Sequence, residues 1–214
     1  MTKPIHIGFL IYPDVTQLDV TGPAQILSRV PGAVIHMIWK TKDPVQTDAG
    51  FSINPTDTFQ SCPYLDVICV PGGAGQVALM RDETTHAFLR QQGEQAKYVT
   101  SVCSGALILG AAGLLQGYRS TCHWAYREML PMFGAEPVAG RIVKDRNRIS
   151  GGGATSGIDF GLALAAELAG EETAKAIQLF VEYDPEPPFD AGTPEKAGPE
   201  LEAKVRSTLV GAHS

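Results

Sequence analysis

The sequence predicts an α/β domain built on a doubly wound, mostly parallel sheet with helices on both faces, and three observations carry this. Short apolar β-prone runs alternate with segments of helical spacing along the whole chain, the order that gives parallel strands covered on both faces. The most suggestive turns, around Asp19, Gly72-Gly73 and Cys103, each follow such a run, and doubly wound sheets place their ligands at the strands' carboxyl edge. Finally, no interdomain linker precedes residue 184, so residues 1–214 are expected to form one domain, with a proline-rich arm and a C-terminal helix at 184–214.

Ile5 to Tyr12 is a mostly apolar run stopped by Pro13 and is expected as a buried strand. A turn through Asp14–Pro23 should lead into a helix from about Pro23 to Arg29, ended by Pro31-Gly32. Val34–Lys40 is expected as a second strand, and Val45–Asn54 as a hairpin bent at Asp48-Ala49-Gly50. Asp66–Val70 is another buried strand, followed by the loop Pro71–Gly75 and helical sequence from about Gln76 to Lys97, with His86 on its surface. Tyr98–Val102 is a strand, and a small-residue apolar helix opens at about Ser104. Ser120–Cys122 is expected as a short strand, His123–Phe133 has helical spacing, and Ile142–Asp145 with Arg148–Ser150 suggests a strand pair turning at Arg146-Asn147. Helices are expected at about Thr155–Leu168, Glu171–Tyr183 and Pro199–Leu209. Between the last two, Asp184–Gly192 is too rich in proline for regular structure and should lie over the surface or cross to a partner.

Composition narrows the function classes. With 214 residues and 44% hydrophobic content the chain can bury an ordinary core without a disulfide or metal staple. A net charge of −6 and the lack of any basic run argue against nucleic acid as a partner. The apolar runs are too short to span a bilayer. Met1-Thr2-Lys3-Pro4 has no signal-peptide organisation, so a cytoplasmic location is expected. Cys62, Cys69, Cys103 and Cys122 are irregularly spaced, which predicts four free thiols and no zinc array.

The candidate chemistry centres on Cys103. A strand-to-helix bend exposes its central side chain, and the free N–H groups at the helix start should favour thiolate over thiol. Gly105 removes a side chain that would crowd the bend. A buried structural cysteine is the bland alternative. The Gly72-Gly73 loop can offer backbone N–H groups to a developing negative charge, and Asp19 a carboxyl able to pass a proton, although acids before a helix are commonly exposed caps. Among the histidines, His6 and His36 fall in strands and His213 at the tail, leaving His123 as the one able to approach, in a core or supporting role. Gly73-Ala74-Gly75-Gln76-Val77-Ala78 fits Gly-x-Gly-x-x-Ala, yet the next strand ends in Val102-Cys103 rather than a ribose-binding acid, which argues against a dinucleotide. Neither a metal nor an organic cofactor is expected.

Asp66–Gly73 and Thr100–Gly105 resemble the ThiJ/PfpI superfamily, related in fold to class I glutamine amidotransferases. Gln17–Pro23, Leu109–Leu115, Thr121–Tyr126 and Gly151–Phe160 are similar to the isocyanide hydratase subgroup. The resemblance covers about residues 5–192 and implies a flavodoxin-like fold with a nucleophile-elbow cysteine, a homodimer, and a cofactor-free lyase that hydrates an organic isocyanide to an N-substituted formamide through a Cys103 thioimidate. Asp19 would protonate the isocyanide carbon and position water. Gly72, Gly73 and Ser104 would orient these species, with the backbone of Gly152 nearby. Two departures stand out. PfpI-type proteases carry histidine directly after the cysteine, where Ser104 stands, and the hydratases carry threonine there and isoleucine at Ala154. Serine keeps the hydroxyl, whereas alanine would widen the pocket. Two other functions fit the same superfamily. The ligand-sensing domain of AraC-type regulators needs a basic DNA-binding region after the arm, and the glyoxalase or stress-response branch has glutamate at the Asp19 turn.

Overall fold

The computed structural model describes residues 3–211. His213 lies outside them. β1 (Ile5–Leu10) leads into α1 (Gln17–Leu27) and β2 (Ala33–Trp39). The hairpin β3 (Val45–Gln46) and β4 (Ser52–Ile53) precedes a two-residue strand, β5 (Asp57–Thr58), and then β6 (Val67–Val70). Next come α2 (Gln76–Leu79), α3 (Glu83–Gly93), β7 (Tyr98–Val102) and α4 (Gly105–Ala111). β8 (Arg119–Ser120), a 3-10 helix over Arg127–Phe133 and β9 (Glu136–Pro137) form a small excursion. β10 (Ile142–Asp145), β11 (Arg148–Gly151), α5 (Ser156–Ala169) and α6 (Glu171–Phe180) return to the body of the fold. The arm then carries α7 (Pro194–Ala197) and α8 (Pro199–Gly211).

Seven strands form one sheet in the order β10-β11-β7-β6-β1-β2-β5, parallel except for the β10–β11 hairpin. The chain winds one way from β1 to β2 and the other way from β6 to β7. The switch point therefore lies between β1 and β6. α5 packs on α1 and α6, while α4 packs on α2, α3 and the 3-10 helix, which is the predicted double winding. Register then sets the functional edge. Val70 pairs with Ser101 and Val102 with Gly151, so Gly72, Cys103 and Gly152 emerge side by side just beyond three adjacent strands.

Several elements depart from expectation. α1 starts six residues before Pro23, so Pro23 lies inside the helix and Asp19 in its first turn. A proline there removes one N–H donor, and tertiary packing compensates. A Cβ at Gly157 or Gly161 of α5 would come within 3.0 Å of Pro23 or 3.1 Å of Ile26, so those glycines let the two helices close together. The stretch expected as one helix from Gln76 breaks at residues 80–82, where Asp82 caps α3 by accepting from Thr84 N–H (3.2 Å). His86 is buried rather than at the surface, its Nε2 2.9 Å from the Leu79 carbonyl. The helical spacing of 123–133 belongs to a 3-10 helix containing Pro131. β5, β9 and α7 were not expected; strands of two residues and a helix of four have too little sequence to show a period.

Candidate active site

Cys103 adopts a left-handed backbone (φ 57°) at the β7–α4 bend, a conformation that is costly for a residue with a side chain and is held only by its surroundings. Its N–H donates to the Gly151 carbonyl (3.1 Å). A Cβ on Gly105 would come 2.0 Å from the Val70 carbonyl oxygen, so the bend can press against the end of β6 only with glycine there. Both the N–H and the hydroxyl of Ser104 approach the Cys103 sulfur and favour its ionised form.

These donors do not win. Burial raises the Cys103 thiol well above its usual range, helped by the charge of Asp19 and by Cys122. Burial thus opposes the thiolate that the helix start favours, because a residue only 9% exposed gives up solvation of its charged form.

Asp19 is fully buried and is not an exposed cap. Its Oδ2 accepts from Gly72 N–H at 2.8 Å, while Oδ1 has no aligned hydrogen-bond partner. The Cys103 thiol lies close enough to favour the ionised carboxyl without satisfying Oδ1. Burial pushes the Asp19 pKa up to about 7, against the Gly72 N–H and Cys103, which lower it, and with Asp48, which adds to it. A carboxyl held near neutrality beside a thiol can accept and return a proton.

Gly72 and Gly73 hold this pair. Gly73 N–H donates to Ser104 Oγ (3.3 Å), and Gly72 accepts Thr16 N–H at its carbonyl (2.9 Å). A Cβ on Gly72 would meet Ser104 Oγ at 2.5 Å and Asp19 Oδ2 at 3.0 Å. The two N–H groups expected to face a developing charge are thus taken up by Asp19 and Ser104. Cys103, Ser104, Gly73, Gly152 and Ala154 line a cavity of about 800 Å³, with Asp19 and Gly72 behind its wall. Gly152 N–H is also engaged, with the Arg141 carbonyl (3.0 Å). The arm lies over the chain's own cavity, to which Gly192, Thr193, Pro194 and Glu195 contribute.

The residues 6–167 match the DJ-1/PfpI family. The chain belongs to the DJ-1/PfpI family. Within the known proteins it is 56% identical to the isonitrile hydratase of Pseudomonas putida over 193 residues, covering 90% of this chain and 85% of the relative. It is 29% identical over 192 residues to an HTH-type transcriptional regulator of Pseudomonas aeruginosa, of which it spans about half (52%). Among solved structures, a ThiJ/PfpI family protein from Pseudomonas syringae superposes with a TM-score of 0.96 at 45% identity, covering 99% of this chain and 88% of that one. The flavodoxin-like expectation is thereby met.

The cavity wall of this family member includes residues beyond the Cys103 and Asp19 group. His123, the histidine the sequence left as able to approach, lines the wall, half-buried, with burial and the nearby Arg206 both favouring its neutral form. Its ring packs at a tilt against Trp124 and Tyr126. Asp48, read only as a hairpin bend, accepts Gln17 N–H (3.1 Å) and so caps the helix that carries Asp19. Cys122 and Arg127 also reach the cavity, which no sequence period announces. His6 and His36 hydrogen-bond one another and, through His36, Asp57, away from the cavity. All four cysteines are free thiols, as expected.

Proposed function

We propose that the protein is an isocyanide hydratase, a lyase converting an organic isocyanide and water to the N-substituted formamide, with Cys103 as nucleophile and Asp19 as its proton carrier. The observation that carries this reading is the buried Cys103–Asp19 pair at the cavity wall, in a chain 56% identical to a protein named isonitrile hydratase. The terminal isocyanide carbon is both attacked and protonated in the reaction, which requires a thiol and a carboxyl that exchange one proton.

Ionised Asp19 takes the Cys103 proton as sulfur bonds to the isocyanide carbon, and returns it to that carbon, giving a thioimidate. Asp19, ionised again, then draws a proton from an attacking water. Oxygen bonds to the same carbon, and the nitrogen gains the proton. Collapse breaks the carbon–sulfur bond and releases the formamide. The hydroxyl proton passes to sulfur and restores the thiol. Atoms balance with one water consumed. The Ser104 N–H and hydroxyl stabilise the sulfur whenever it is anionic. Gly72 and Gly73 fix Asp19 and Ser104 in place, and Gly152 and Ala154 shape the wall against the organic group.

No helix among the described residues is long and apolar enough to cross a membrane. Free thiols support a reducing, cytoplasmic setting. A homodimer is part of the proposal, supported by Leu179, Phe180 and Phe189, which are 82%, 71% and 81% exposed. Incubation with cyclohexyl isocyanide tests the function: N-cyclohexylformamide should form with the native protein and not with Cys103→Ala, and equal turnover by that variant would end the reading.

A further inference from the structure

The cavity is far larger than an isocyanide group needs. At about 800 Å³ it sits in the range that encloses a drug-sized ligand, so most of its wall addresses the organic group attached to the isocyanide. Four charged side chains reach that wall. Arg141 is committed: its Nε donates to Asp159 (2.7 Å), and its other nitrogens to the Thr155 carbonyl (3.1 Å) and the Tyr183 hydroxyl (3.4 Å). Asp48 is held by Gln17 N–H. Glu195 is turned into the first turn of α7, against Thr193 and its own N–H. Arg127 differs. Its guanidinium makes no hydrogen bond and no ion pair among the described residues, although the side chain is half-buried. Its charge is felt by the Cys122 thiol on the wall and by Glu195 on the arm, and all three residues line the same cavity.

We propose that Arg127 anchors a carboxylate on the organic group, so that the preferred substrates are isocyanides bearing an acid. This rests on the hydratase reading above and adds the substrate class. A guanidinium offers a planar fork that matches a carboxylate, and partial burial strengthens the pairing. Trp124 and Tyr126, on the same wall, give the body of such a ligand apolar surface. The chain as a whole carries −6 and repels anions at long range, so a preference for an acid would have to come from a local cation.

The test compares isocyanoacetate and 4-isocyanobenzoate, two spacings, each against its methyl ester, by kcat/KM. The native protein should favour the acid roughly 10- to 100-fold at one spacing or both, chiefly through KM. Arg127→Met should bring that ratio to one or below, and Arg127→Lys should keep part of it. Esters preferred at both spacings, or an undiminished ratio in Arg127→Met, would overturn the proposal. If no isocyanide is hydrated, the hydratase reading has failed, and the anchor is read separately by calorimetry. N-formylglycine or 4-formamidobenzoate should then bind more tightly than its methyl ester, with the difference abolished in Arg127→Met; no difference in the native protein refutes the anchor. A thermal melt of each variant separates loss of the anchor from loss of the fold.

Discussion

Asp19 answers to two demands that pull apart. Burial drives its carboxyl toward the neutral form, while Gly72 N–H and the Cys103 thiol favour the anion, and the balance falls at about 7. Since the reaction begins with the anion, kcat/KM should rise with pH along one limb centred near 7, measurable with a neutral isocyanide. Asp19→Asn keeps an acceptor for Gly72 but cannot carry the proton, and should lower kcat by about 10²–10⁴-fold with that limb gone. A limb that survives the substitution would assign it to another group. The same shift has a consequence for stability. With its folded pKa raised above the unfolded value of 3.8, Asp19 is protonated in the fold and ionised in the unfolded chain across that window. Stability therefore falls as pH rises from about 4 to about 7, by on the order of 3–4 kcal/mol. Asp19→Asn should be more stable than the native protein at pH 8 and equal to it near pH 3, as denaturant melts would show.

At the scale of elements, the site depends on close approaches between segments far apart in sequence. Gly105→Ala would press a methyl against the Val70 carbonyl, and a cost of roughly 1–3 kcal/mol or more is expected in thermal or urea melts. The fit of α1 against the hairpin is milder. Asp48→Ala removes the acceptor for Gln17 N–H and should cost about 0.5–2 kcal/mol. Because the Asp48 charge also raises the Asp19 pKa, the same variant should move the pH limb downward. An upward move would mean that repositioning of α1 outweighs the lost charge. Most strands and the helices α5, α6 and α8 are legible in the sequence, since buried β runs and helical periods are written in consecutive residues. The start of α1 was not: Pro23 signals a boundary locally, and only Gly157 and Gly161 on α5 explain why the helix passes through it.

At the scale of the whole molecule, the arm completes the cavity. Residues 192–195 line it, and Arg206 of α8 lies 4.8 Å over the Trp124 ring. A chain shortened after Asp190 should alkylate faster at Cys103 with iodoacetamide, located by mass spectrometry, and should show a raised KM. Unchanged alkylation would mean that the arm does not shield the sulfur. The proline run announced an irregular segment without saying where it goes, because proline removes donors but fixes no long-range contact.

The sequence by itself determined the layer order, the parallel sheet and the glycine and cysteine turns at its carboxyl edge, since these follow from local period and turn chemistry. It also marked Cys103 and Asp19 as a candidate pair. Only the tertiary structure decided how strongly burial bears on their ionisation. The free N–H groups at the start of α4 favour thiolate locally, yet enclosure by several distant segments removes the solvent that would stabilise the charge, pushing the Cys103 thiol up and the Asp19 pKa to about 7.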